Sequence, residues 1–148
     1  MTTTINLRRN DSPKLYFGFT DVYGKPFSPP FSALTELTYS VYQILQNRRV
    51  PIEGFIKIPI PESCWHPEPE AYPKKIQGVP SAKLAEGYTL ELYPFKKDET
   101  SGAWESPFTE ANTSYDVVVR LSYPMTDAAL DGTYDYKREY VVRVITGN

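Results

Sequence analysis

One cysteine, Cys64, and one histidine, His66, are all that the 148 residues offer of the side chains that most often ligate metals or drive nucleophilic catalysis. A lone cysteine excludes an internal disulfide framework, so the fold must hold without staples. One Cys-x-His pair falls short of the four ligands of a structural zinc site. Any Ser–His or Cys–His pairing must use His66, and Cys64 stands two residues away in a proline-rich stretch ill suited to fixed positioning. The carboxylates Glu62, Glu68, Glu70, Glu91 and Asp98 have no spacing that singles out an acid–base pair. The eight glycines stand singly, so no phosphate-cradling loop is present. The net charge is −2 with both signs interspersed, and Arg8-Arg9 and Arg48-Arg49 are isolated basic pairs, too few for a nucleic-acid footprint. No apolar run approaches the ~20 residues that span a bilayer, and the opening MTTTINLRRND lacks the apolar core of a secretory signal. These absences point to a non-enzymatic chain made in the cytoplasm, with no metal, no cofactor, and neither nucleic acid nor membrane as a partner.

What is present is proline, fourteen residues, and tyrosine, twelve. Proline breaks helices and cannot donate to a sheet ladder, so it argues for short strands joined by extended links. Period-two alternation marks those strands. In Ser114–Leu121 the residues Tyr115, Val117, Val119 and Leu121 share one face, with Asp116, Arg120 and Ser122 mainly on the other. In Tyr134–Ile145, Tyr136, Tyr140, Val142 and Val144 alternate with Lys137, Glu139 and Arg143. Lys14–Thr20, Thr35–Leu45, Phe55–Ile60 and Tyr88–Tyr93 read as further strands, with Pro59 marking Phe55–Ile60 as an edge. Asp21–Pro26 reads as a turn, Gln46–Arg49 as a polar exit, and Ser81–Gly87 and Thr126–Gly132 as single helical turns. Pro61–Pro80 and Phe95–Asn112 are long excursions. About seven strands without βαβ alternation predict an all-β, antiparallel, two-layer sandwich of immunoglobulin-like kind over residues 11–148.

Met1–Asn10 reads as an N-terminal arm with Ile5 and Leu7 alternating before Arg8 and Arg9. Such an arm is held only by lying against its own sheet or a neighbouring subunit. Trp65, Tyr72, Trp104 and Phe108 fall in the two long excursions, outside the expected strands. Aromatics placed there cap the ends of a sandwich, anchor a protein interface or stack on sugars. The candidate partner-binding set is therefore Ile5, Leu7, Arg8, Arg9, Trp65, Tyr72, Trp104 and Phe108.

The stretch NDSPKLYFGFTDVYGKPFS, Asn10–Ser28, resembles the N-terminal β-sandwich modules of tailed-phage virion proteins, such as baseplate upper proteins and decoration domains. The likeness lies in a polar turn, an aromatic strand and a TD-x-x-G-x-P hairpin, matched by Thr20, Asp21, Gly24 and Pro26. Gly87-Tyr88 and Gly132-Thr133-Tyr134, each opening a strand, are similar to the G-x-Y strand starts of those modules. The resemblance implies a structural protein of the virion, most simply a capsid decoration or cement protein, that clamps neighbouring capsid or tail subunits through its arm and loops. It also implies a homo-oligomer, a trimer by analogy with cement proteins. A tail or baseplate module and a carbohydrate-binding module using Trp65, Tyr72 or Trp104 are the alternatives.

Overall fold

The computed structural model describes residues 3–11, 13–19, 29–70, 88–127 and 132–147. The fold is all-β. Among the described residues, eleven strands form a mixed six-stranded sheet, a three-stranded antiparallel sheet and a two-stranded hairpin. The strands are β1 (Thr3–Leu7), β2 (Leu15–Phe17), β3 (Glu36–Leu45), β4 (Arg48–Pro51), β5 (Ile58–Pro59), β6 (Trp65–Glu70), β7 (Tyr88–Leu92), β8 (Lys96–Lys97), β9 (Trp104–Glu105), β10 (Ser114–Asp127) and β11 (Gly132–Thr146).

The large sheet runs β1-β11-β10-β3-β4, with β5 also on β3, and the smaller runs β2-β7-β6. The two expected alternating stretches are its centre: β10 and β11 pair antiparallel from Ser114↔Ile145 to Asp127↔Gly132. Tyr115, Val117, Val119 and Leu121 are all essentially inaccessible, and they face Leu15, Phe17, Leu90 and Leu92 of the smaller sheet across one core. Burying that apolar alternation on both layers is what drives the two sheets together.

Several elements depart from the sequence reading. Thr126 and Asp127 pair with Thr133 and Gly132, so the expected helical turn over Thr126–Gly132 is strand at both ends. Gln46 and Asn47 adopt left-handed φ of 52° and 62°, a tight turn that makes Arg48–Pro51 a returning strand rather than an exit. Lys57 at φ 51° breaks Phe55–Ile60, which leaves only Ile58–Pro59 paired, at an edge on β3. Pro67 and Pro69 sit in β6, which among the described residues pairs with β7 alone, and a missing donor is tolerated on an unpaired side. Among the described residues the helical turns are Phe31–Ala33 and Glu62–Cys64, neither of which the sequence pattern marks. The turn Asp21–Pro26 and the helical turn Ser81–Gly87 fall outside the described residues.

Of the two placements open to the opening segment, its own sheet is the one found: β1 runs parallel to β11 from Thr3↔Val142 to Leu7↔Thr146. Its continuation is tied down by Asn10 N–H donating to Phe108 O at 2.7 Å and by Arg8 N–H donating to Asp11 Oδ2 at 3.1 Å.

Candidate functional site: an apolar groove with an aromatic rim

At the β3/β5 end of the large sheet a groove of about 670 Å³ opens between the two layers and the β8–β9 hairpin. It is lined by Tyr39 of β3, Ile58–Pro61, Cys64 and Leu92, together with Tyr93, Phe95, Lys96 and Trp104. Its size falls within the range of ligand pockets, and its lining is almost wholly apolar.

The rim is built locally. Pro94 ends β7, and Phe95 and Trp104 then meet edge to face at 5.3 Å, with Tyr93 edge to face on Phe95 at 5.8 Å. Asp98 pins the hairpin that carries Trp104: its Oδ1 accepts from Thr100 N–H at 2.8 Å and Ser101 N–H at 3.3 Å. Those two donors hold the Asp98 carboxyl below its ordinary range. Lys97 lies over the Trp104 ring at 5.9 Å. Lys96 lies over Phe55 at 5.1 Å and donates to Gly54 O at 3.1 Å, so its charge is spent inside the wall. Trp104 remains 62% exposed.

Burial pushes the Tyr39 hydroxyl up to about 12. Burial likewise raises the Cys64 thiol, which keeps it protonated and weak as a nucleophile or ligand. His66 Nε2 lies 3.8 Å from Glu91 Oε2, and Glu91 Oε1 takes Lys14 Nζ at 2.9 Å. Among the described residues no three His, Cys, Asp or Glu side chains converge as metal ligands do.

The candidate binding residues are scattered. Trp65 is buried, stacks on Phe19 at 5.5 Å and donates its indole N–H to Pro29 O at 2.8 Å. Phe108 is fully buried, edge to face with Tyr115 at 5.2 Å. Ile5 is buried and Leu7 half-buried against the same core, while Arg8 and Arg9 are exposed at the turn after β1. Tyr72 falls outside the described residues. Of the candidate aromatics in the described residues, Trp65 and Phe108 serve the core and Trp104 lines the groove. Tyr93 and Phe95 belong with it but escaped the sequence reading. The aromatic pair flanking Pro94 is the signal that points to them.

A second constellation covers the outer face of the large sheet. Asp116, 1% exposed, accepts from Arg143 Nε at 2.6 Å and Arg49 Nε at 2.9 Å. Arg120 and Arg49 reach Glu139 at 3.3 Å and 3.5 Å. This network spans β4, β10 and β11, on the face of β10 that also carries the fully buried Val118. Burial pushes the Asp116 carboxyl up, but the hydrogen bonds from Arg143 and Arg49 outweigh it and hold the group below its ordinary range.

No family model, no curated protein and no solved structure matches this chain.

Proposed function

We propose that this chain is a non-enzymatic structural protein that grips a neighbouring protein by seating an apolar segment of it in the groove beside Trp104. The observation that carries this reading is the groove itself: an apolar cleft whose rim holds a tryptophan 62% exposed on an edge-to-face aromatic support. Aromatic anchors in desolvated clefts are where protein interfaces concentrate their binding energy. A sugar site asks for polar groups directed at hydroxyls. Here Lys96 is turned onto Gly54 and the exposed lining is mostly apolar, which favours an apolar protein segment over a glycan. The setting we propose is a tailed-phage virion, as a capsid decoration or cement protein, with a tail position as the alternative. Support for it is the turn sequence carrying Thr20, Asp21, Gly24 and Pro26. We read the two layers as immunoglobulin-like in kind, supported by the shared core and by the first strand lying beside the last.

The test selects peptides from a random library against the purified chain and measures them against Trp104→Ala, with a glycan array alongside. Selected peptides should be rich in aromatic and aliphatic residues and should lose about tenfold or more in affinity with the variant. Binding indifferent to Trp104→Ala, or glycan binding in place of peptide binding, overturns the reading. Mass spectrometry of purified particles tests the virion setting separately, since a chain missing from them is not a virion component.

A further inference from the structure

We infer that the open edge of β1 is a self-association surface, on which a second copy of this chain adds its own β1 antiparallel about a twofold axis through Ile5. The groove lies at the other end of the large sheet, with β11 and β10 between β1 and β3, so the two surfaces are independent.

The geometry follows from a single bond. Gly147 N–H donates to Leu7 O at 2.8 Å, which turns the Leu7 carbonyl toward β11. Backbone groups on a strand alternate sides, so Thr3, Ile5 and Leu7 bond to β11, while Thr4 and Asn6 direct their N–H and C=O groups away from it. Among the described residues nothing pairs with those groups. A twofold axis through Ile5 sets Thr4 opposite Asn6 of the partner subunit and Asn6 opposite Thr4 of the partner subunit. Each facing pair exchanges both of its N–H···O=C bonds, and Ile5 meets its own copy as the intervening non-bonded pair. Every outward group of the strand is then satisfied, with no register slip and no remainder. On the core side, half-buried Leu7 comes beside half-buried Thr3 of the partner subunit, continuing the apolar layer across the axis.

The contrast with the other edges supports the assignment. Exposed strand edges are normally guarded by proline, by charge or by being very short. Arg48, Arg49 and Pro51 guard β4, Pro59 guards β5, and Pro67 and Pro69 guard β6. The β2 edge is three residues long. Among these described edges only β1, Thr-Thr-Ile-Asn-Leu, is five residues without proline, glycine or charge. An edge left unguarded beside guarded ones fits a strand that is paired in use. A second copy brings its own unguarded edge, so one contact satisfies both open edges at once, which favours it over an unrelated strand.

Sedimentation of the full chain across micromolar to millimolar concentration tests this. The wild type should move from the mass of one chain toward that of two, and the amides of Thr4 and Asn6 should gain hydrogen-exchange protection with it. Asn6→Pro removes an outward donor while leaving the bonds to β11 in place, and should weaken the dimer by about tenfold or more. The double variant Thr4→Lys, Asn6→Lys keeps every backbone donor but sets like charges opposite each other, and it should be monomeric even if Asn6→Pro fails to fold. A wild type that stays monomeric throughout overturns the inference. So does a dimer that persists in the double variant, or one whose Thr4 and Asn6 amides exchange freely.

Discussion

Asp116 carries a carboxylate to a position 1% exposed, and two arginines from different strands meet it there. Asp116→Asn leaves those guanidinium groups without their counter-ion and should cost about 2–3 kcal/mol, read from denaturant unfolding; the arginines' own solvent exposure keeps the figure from being larger. Because folding lowers the Asp116 value below the ordinary 3.8, its contribution is complete above that pH and fades as pH falls through the lower folded-state value. Wild-type stability should therefore drop in strong acid, and the drop should be shallower in Asp116→Asn. Gly54 is a second demanding position. Its φ is +85°, and a Cβ there would lie 2.7 Å from Lys96 Nζ. Gly54→Ala should cost about 1–2 kcal/mol, and the displaced Lys96 should reshape the groove wall. Period-two alternation disclosed Tyr115, Val117 and Val119, but it assigned Asp116 to a wet face. The covering arginines come from 27 and 67 residues away, a separation that local pattern does not carry.

At the level of elements, legibility followed apolar content. β3, β7, β10 and β11 alternate clearly and lie where the pattern puts them. β4 is exposed along its whole length and has no apolar period, so only its tight turn at Gln46-Asn47 could have announced it. β6 was concealed by Pro67 and Pro69, which fit a strand paired, among the described residues, with β7 alone. β1 looked like an arm because one buried residue, Ile5, is a faint signal. Yet Ile5 enters the core, so Ile5→Ala should destabilise the fold by about 2–4 kcal/mol in denaturant titration. A shift under half a kcal/mol would mean that β1 is an appendage and not part of the sheet.

For the molecule as a whole, the described aromatics divide into those that hold it together and those at the groove, of which Trp104 is the most exposed. Phe108→Ala empties a fully buried site and should cost about 3–5 kcal/mol. Trp104→Ala should leave unfolding within about 0.5 kcal/mol of wild type, because most of the ring is in solvent. The groove itself was not legible: its walls come from β3, β5, β7 and the β8–β9 hairpin, which converge only in the folded molecule.

The parallel pairing of β1 with β11 has a bearing on how the chain is made. Residues 3–7 wait for residues 142–146, so a nascent chain halted before residue 132 has no partner for Ile5. Until the ribosome delivers β11, the faces of β1 and β10 remain sticky to chaperones and to sister polypeptides.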